Sequence, residues 1–133
     1  MSGETNLKIL ISEMEPILNK GEYVFSTIKN CDHIPREITI CEIKESEGVT
    51  LVLSKEHADK YGLSYDYVAA WITLNIHSSL DAVGLTAAFS SKLGNSNISC
   101  NVIAGYYHDH IFVDVKDKEK AMSSLLAMTN QKI

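Results

Sequence analysis

The sequence of 133 residues predicts an α+β fold of the ferredoxin-like type, and three observations favour this class. Residues 67–115 read as a strand, a polar turn, an amphipathic helix and two more strands, which is half of a ferredoxin-like unit. The segments that begin at Gly48 and at His110 each read as a strand, a cap and a helix, with matching apolar positions. Upstream of each, a helix, a glycine and a strand follow in the same order, at Leu7–Phe25 and at Leu85–Val102. We therefore expect two similar units that share a sheet, residues 1–66 and residues 67–133.

The first half is predicted to contain a helix, three strands and a short second helix. Apolar residues at helical spacing after a cap at Thr5 or Asn6 predict a helix over about residues 6–15, ending near Pro16. This stripe consists of Leu7, Leu10, Ile11, Met14 and Leu18. Segments rich in β-branched and aromatic residues predict strands at Glu22–Ile28, Glu37–Ile43 and Val49–Leu53. Ser54 can cap the short helix that follows, and Gly62 can end it.

The second half shows clearer periodicity. Ile72, Leu74 and Ile76 alternate with polar or aromatic residues, as one face of a strand should. A helix follows, with Ser78 and Asp81 at capping-box spacing and Gly94 at its end. Its apolar stripe is Ala82, Leu85, Phe89 and Leu93. Strands at Ile98–Ala104 and His110–Val115 and a last helix capped by Asp117 complete the pattern.

Composition excludes several classes of function. The chain has 17 acidic and 12 basic residues, a formal charge of −5, and no basic surface that would bind nucleic acid. The apolar run from Tyr67 to Leu74 is too short to span a membrane. The first residues lack the basic segment of a secretion signal, so we expect a cytoplasmic protein. Its three cysteines, Cys31, Cys41 and Cys100, lack paired spacing and are interpreted as buried, reduced thiols.

The turn from Ser78 to Leu85 is the first candidate for a binding site. A helix that begins there would direct backbone N–H groups and a partial positive charge at a ligand carboxylate, and Gly84 would allow close approach. The alternative is that Ser78 and Asp81 only cap the helix and satisfy those donors themselves.

The second candidate is the segment Asn101–Asp109, in which Gly105 and two tyrosines interrupt a strand pattern. The glycine suggests a bulge or a close approach. If this strand lies beside the one at residues 72–76, carbonyl groups of Val102–Gly105 could bind the ammonium of an amino acid whose carboxylate meets the helix start. A hairpin connection with half-buried tyrosines explains the pattern equally well.

His108 and His110 alternate along a predicted strand and could bind a divalent metal, with His77 as a third ligand. Such pairs are unspecific without a third partner at fixed spacing, so we expect no metal and no cofactor. The chain has none of the GxSxG, HExxH, P-loop or GxGxxG motifs, which disfavours an enzyme. The histidines could instead shape the mouth of a pocket or lie in an interface.

The segment HSSLDAVGLTAAFSSKLGNSNISCNVIAGYYHDHIFV resembles the ACT-like superfamily, specifically small stand-alone bacterial proteins with two ACT-like halves, relatives of the cytosolic arginine sensor. The resemblance implies a duplicated βαββαβ sandwich with antiparallel sheets and helices on one face. It also implies an amino acid bound between the turn after the first strand and the end of the second strand. By position, the resemblance marks Ser78, Leu80, Asp81, Val83, Gly84, Leu85, Val102, Ile103, Ala104 and Gly105. Side-by-side pairing in this superfamily implies a homodimer, unless the two halves pair within one chain.

The sequence thus predicts a non-enzymatic regulatory protein that binds an amino acid and signals to a separate protein partner. The alternatives are a metal-binding protein or metal-assisted enzyme that uses His108 and His110, and a ligand-free dimerisation module.

Overall fold

The computed structural model describes residues 6–76 and 83–129. In chain order, the helices and strands are α1 (Leu7–Glu13), β1 (Glu15–Leu18), β2 (Tyr23–Ile28), β3 (Thr39–Glu45), β4 (Gly48–Ser54), α2 (Lys55–Lys60), β5 (Val68–Asn75), α3 (Leu85–Asn95), β6 (Asn101–Ala104), β7 (Asp109–Asp114) and α4 (Lys118–Thr129). None of the helices in these ranges is long and apolar enough to cross a bilayer.

The chain forms two compact units. The composite unit contains residues 1–19 and 71–133, and the continuous unit contains residues 20–70. Strand β5 contributes Val68–Ala70 to the continuous unit and its remaining residues to the composite unit.

The composite unit has strand order β1-β5-β7-β6, with antiparallel pairing of β1 with β5 and of β6 with β7. From β5 onwards, its elements follow as strand, helix, strand, strand and helix. Strand β1, from the amino-terminal segment, pairs with β5 and supplies the final strand of the βαββαβ arrangement. The segment before the continuous unit is therefore an integral part of the composite unit.

Alternation along the strands explains where the core of the composite unit lies. In β5, Ile72 and Leu74 are fully buried, whereas Trp71 and Thr73, which alternate with them, are half-buried. Helix α4 packs against β1, β7, α1 and α3. The helices add these buried apolar side chains to the core: Leu10, Leu85, Phe89, Leu93, Ala121 and Leu125. Met14, which follows α1, is also buried.

The continuous unit repeats this arrangement in reduced form. Its strand order is β3-β4-β2-β5, and the β2–β4, β3–β4 and β2–β5 pairs are antiparallel. A 3₁₀ turn at Arg36–Ile38, preceded by Pro35 in an extended conformation, stands where the composite unit has α3. The core consists of Val24, Ile34, Leu51, Leu53 and Ala58.

The antiparallel α+β fold with two related units is confirmed, and so is the repeated strand-then-helix pattern at β4–α2 and β7–α4. The cap at Asn6 is also confirmed, because its side chain accepts a hydrogen bond from the N–H of Ile9 at 3.2 Å. The proposed boundary between residues 66 and 67 stays a prediction, although residues 1–19 pack with the second half of the chain.

Several element boundaries were predicted wrongly. Helix α1 ends at Glu13 and Leu18 lies in strand β1, because Pro16 cannot continue a helix but is tolerated in a strand. Helix α3 begins at Leu85, because Gly84 holds a left-handed conformation before it, and the predicted first stripe residue, Ala82, lies outside the described residues. Gly94 lies inside α3, and the left-handed residue beyond the helix is Asn97, with φ of 61°. The helix, glycine and strand expected over Leu7–Phe25 are present as α1, Gly21 and β2, but β1 lies between α1 and Gly21, and α1 and β1 belong to the composite unit.

Candidate functional site

The start of α3 lies in the turn that the sequence marks as a binding site. The residue before the helix, Gly84, has φ of 96° and ψ of −14°, and its carbonyl accepts from the N–H of Ala88 at 2.9 Å. Glycine has no side chain, so this position provides no side-chain acceptor for the first N–H groups of α3. A Cβ atom at Gly84 would lie 3.1 Å from Cδ2 of Leu7, which places α1 beside this turn. Helix α3 is thus not capped by the side chain of its N-cap residue.

The second predicted segment forms β6 and the tight turn into β7. Residues Val102, Ile103 and Ala104 pair with Ile111, His110 and Asp109. The N–H of Gly105 donates to the carbonyl of His108 at 2.9 Å, and a Cβ atom at Gly105 would lie 2.9 Å from that same oxygen. The predicted close approach at this glycine is confirmed.

The expectation that β6 lies beside β5 is wrong, because β7 lies between them. Alternation along a strand shows which residues share a face but not which strand is the neighbour, and the hairpin places β7 in the central position. The two tyrosines of the turn are 60% and 63% exposed and contact each other edge to face, with ring centroids 5.1 Å apart. They are therefore more exposed than the half-buried tyrosines expected for a hairpin connection.

The turn after β6 nevertheless lies close to the end of β5. Nδ1 of His108 is 3.4 Å from the carbonyl oxygen of Ile76, the residue that follows β5. Val83, Gly84 and Leu85 lie at the start of α3, whereas Ser78, Leu80 and Asp81 lie outside the described residues, as does His77. Of the predicted site, the structure describes the helix start and the whole β6 segment.

A polar network that the sequence did not predict lies on β5 and β7. Nε1 of Trp71 donates to Nδ1 of His110 at 3.1 Å, and Oγ1 of Thr73 lies 3.2 Å from the same nitrogen. Nδ2 of Asn19 donates to Oγ1 of Thr73 at 3.0 Å. Because an indole N–H can only donate, Nδ1 of His110 is an acceptor, and the neutral imidazole carries its proton on Nε2. The sequence contained one indication of this network, because Trp71 and Thr73 are two residues apart on a predicted strand and therefore lie on the same face of the sheet.

The two histidines have different hydrogen-bond partners. His110 contacts Trp71 and Thr73, whereas His108 reaches the carbonyl of Ile76. In the described ranges, no group of three or more His, Cys, Asp or Glu residues is placed to hold a metal ion. The metal-binding alternative therefore has no third described ligand to support it.

Burial shifts the ionisation of several groups around these elements. It lowers the pKa of His110, nearby His108 lowers that pKa further, and Asp109 partly opposes both effects. Burial also raises the pKa of Asp109. The pKa of Cys100 is raised to about 11 by burial, so this thiol is protonated at neutral pH.

The hydrogen bond between Trp71 and His110 predicts that both the stability of the protein and its tryptophan fluorescence depend on pH. Since the pKa of His110 is lowered from 6.5 in the folded state, the unfolded chain binds more protons below that value. The contribution of His110 to the free energy of unfolding should therefore be fully present above pH 6.5. It should be lost as the pH falls below 6.5 towards the lowered pKa of the folded state. Protonation of Nδ1 should also break the hydrogen bond from Trp71, the only tryptophan, and change its fluorescence.

Urea denaturation and tryptophan emission, both measured from about pH 8 to about pH 5, test this expectation. His110→Gln keeps an acceptor for the indole N–H but cannot titrate, so it should remove the pH dependence of the emission. An emission titration that is the same in His110→Gln and in the natural chain would contradict the assignment.

The comparisons with known proteins give a consistent result. One ACT domain family model matches residues 2–70, and a second matches residues 67–127. The search of the curated proteins found no match.

Three solved structures illustrate the likeness. A Vibrio cholerae protein described as of unknown function and a possible transport protein has a TM-score of 0.83 and 43% identity, over 93% of this chain and 96% of that chain. A Porphyromonas gingivalis structure described as a C-terminal regulatory domain of aspartate kinase has a TM-score of 0.58 and 14% identity, over 90% of this chain and 99% of that chain. Clostridium acetobutylicum aspartate kinase, described as an allosteric enzyme, has a TM-score of 0.61 and 14% identity, over 88% of this chain and 34% of that chain. The two aspartate kinase structures show a shared fold alone.

The first family model covers more than half of the chain, the second continues to residue 127, and both describe the same domain. The strand order and the element sequence of the two units fit the ferredoxin-like arrangement of two ACT domains. The chain belongs to the ACT domain family.

Proposed function

We propose that this protein is a non-enzymatic, cytoplasmic regulatory protein that binds an amino acid at the start of α3. Its membership of the ACT domain family and its structural likeness to regulatory domains of aspartate kinase support the regulatory part. The observation that supports this location of the binding site is the left-handed conformation of Gly84. This residue precedes α3 and provides no side-chain acceptor for the first N–H groups of the helix.

The chemistry of the proposed site follows from backbone groups. The first N–H groups of α3 and the positive end of its dipole favour a carboxylate. Strand β6 is last in the strand order of the composite unit, so its second edge has no partner strand in the described part of the chain. Carbonyl groups of Val102–Gly105 can supply acceptors for an ammonium. The proposal requires both sets of groups to converge on one zwitterion, with Ser78, Leu80 and Asp81 completing the turn, as the family resemblance implies.

The hydrogen bond between His108 and Ile76 supports this convergence. It ties the turn after β6 to the residue after β5, from which the chain continues towards the proposed binding turn. A bound amino acid would then order the turn and change the affinity of the protein for a separate partner by favouring one of two states.

A thermal-shift screen of the common amino acids tests the proposal. A ligand at about 100 times its dissociation constant should stabilise the folded protein by about 2.7 kcal/mol. Val83 is 83% exposed and precedes Gly84, so Val83→Asp should leave the core intact. The new carboxylate should stabilise α3 by about 0.3–1 kcal/mol through the helix dipole. It should also repel the ligand carboxylate and remove the thermal shift.

Ser91→Asp is the matched control, because it makes the same charge change at an exposed position inside α3. This variant should keep the full response to the ligand. A thermal shift that is equal in Val83→Asp and Ser91→Asp would place the ligand elsewhere. If no amino acid changes the melting temperature, a ligand-free module is favoured. An increase in melting temperature with zinc that EDTA reverses would favour the metal-binding alternative.

A further inference from the structure

The connection between β2 and β3 leaves an open groove in the continuous unit. In the composite unit, the corresponding connection contains α3, whose buried residues are Leu85, Phe89 and Leu93. In the continuous unit, residues 29–38 contain the short 3₁₀ turn instead and bury one side chain, Ile34. A groove of about 410 Å³ lies beside this turn and along β3. Its volume falls within the range of about 300–1,000 Å³ that is usual for small-molecule sites.

A bulge in β3 brings three polar side chains onto one face of the strand. The register with β4 shifts after Thr39, so Ile40 is the extra residue. Directly opposed residues of two paired strands point to the same face of the sheet. The polar residues each lie opposite a β4 residue that belongs to the apolar core of the unit or packs against it. These pairs are Thr39–Leu53, Glu42–Leu51 and Lys44–Val49.

The groove contains two cations and one carboxylate. It is lined by Arg36, Thr39, Ile40, Cys41, Glu42 and Lys44. The side chains of Arg36 and Lys44 are exposed, and neither has an ion pair or a hydrogen bond within the described residues. The lining is therefore net positive, in a chain whose formal charge is −5.

The carboxylate of Glu42 is held beside these cations. This half-buried side chain accepts hydrogen bonds from Oγ1 of Thr39 at 3.2 Å and from Sγ of Cys31 at 3.9 Å. A carboxylate has about four acceptor positions, so Glu42 can also accept a hydrogen bond from a ligand. The groove thus combines two donors for an anionic group with one acceptor for a hydroxyl group.

We propose that this groove binds a small hydroxylated oxyanion, that is, a carboxylate or a phosphate with a neighbouring hydroxyl group. The anionic oxygens contact the guanidinium of Arg36 and the ammonium of Lys44, and the hydroxyl group donates to Glu42. The site lies within the continuous unit and does not depend on the amino acid site proposed at α3. Because both cations are exposed, the affinity should be low, with a Kd of about 1 mM.

An NMR titration of the ¹⁵N-labelled chain with L-malate and with glycerol 3-phosphate, at constant ionic strength, tests the proposal. The amide signals of Arg36 and of residues 39–44 should shift and reach saturation. Succinate lacks the hydroxyl group of malate and should bind about 2- to 10-fold more weakly. Saturation with malate alone would identify the anionic group as a carboxylate, and saturation with glycerol 3-phosphate alone would identify it as a phosphate.

Substitutions in the groove assign the contacts. Arg36→Gln and Lys44→Gln should each raise the Kd about 3- to 10-fold. Lys120→Gln is the matched control, because it makes the same charge change as Lys44→Gln at an exposed position of α4, and it should leave the Kd unchanged. Glu42→Gln should lower the Kd for succinate, because it removes the carboxylate that repels the dianion. Glutamine retains an acceptor for the hydroxyl of Thr39.

Signals that shift without saturation up to about 50 mM of both malate and glycerol 3-phosphate would overturn the proposal. Equal affinities in the natural chain and in folded Arg36→Gln and Lys44→Gln would do the same. Both of these side chains are exposed, so the two variants decide the result if Glu42→Gln is unfolded. An amino acid that binds at α3 should leave the groove signals in place, so failure of one site is distinguished from failure of the other.

Discussion

Deletion of residues 1–19 is expected to unfold the composite unit, although these residues precede the continuous unit in the chain. The deletion removes α1 and β1. Strand β1 pairs with β5, with Pro16 opposite Leu74 and Leu18 opposite Ile72. The deletion also removes Leu10 and Met14, which are 0% and 2% exposed. Each buried side chain of this kind contributes about 1.5–3 kcal/mol, out of a typical total stability of about 5–15 kcal/mol.

Far-ultraviolet circular dichroism and NMR spectra of residues 20–133 would detect this loss, and a peptide of residues 1–19 added separately should restore the fold. Leu10→Ala tests the same packing in the intact chain and should cost about 2–5 kcal/mol. Its neighbour Ile9 is 40% exposed, so Ile9→Ala should cost less than about 1 kcal/mol. A cooperative, unchanged unfolding transition of the shortened chain would show that β1 is dispensable.

Periodicity predicted most elements of this protein because it reports local burial. Ile72 and Leu74 identified β5, and Leu85, Phe89 and Leu93 identified α3, since one face of each element enters the core. Asn6 and Ser54 identified helix starts, because their side chains accept hydrogen bonds from N–H groups three residues later.

Long-range pairing was harder to predict. Strand β1 has four residues and contains a proline, and it is stabilised by pairing with β5, which lies more than fifty residues away in sequence. The central position of β7 and the bond between Trp71 and His110 also depend on topology. Local pattern carries little information on such contacts, which is why β6 was expected beside β5. The candidate site was therefore predicted as two segments, without the strand that separates them.

Gly105→Ala is expected to destabilise the composite unit by about 1–3 kcal/mol, the usual range for overpacking. The new Cβ would lie 2.9 Å from the carbonyl oxygen of His108 and 3.2 Å from Nε2 of His110. The first contact is with backbone, so the turn that is closed by the N–H of Gly105 must move. Movement of His110 should also change the emission of Trp71, and loss of the turn geometry should weaken the amino acid response, if the proposed site is correct.

Gly94→Ala is the matched control, because it makes the same chemical change inside α3, where no atom lies within 4 Å of the new Cβ. Alanine favours a helix over glycine by up to about 1 kcal/mol, so this variant should be more stable than the natural chain. The two substitutions should therefore shift the urea midpoint in opposite directions, and only Gly105→Ala should alter the tryptophan emission. A Gly105→Ala protein as stable as the natural chain would mean that the turn between β6 and β7 can relax without cost, which would remove the close approach at Gly105 as a constraint on the proposed site.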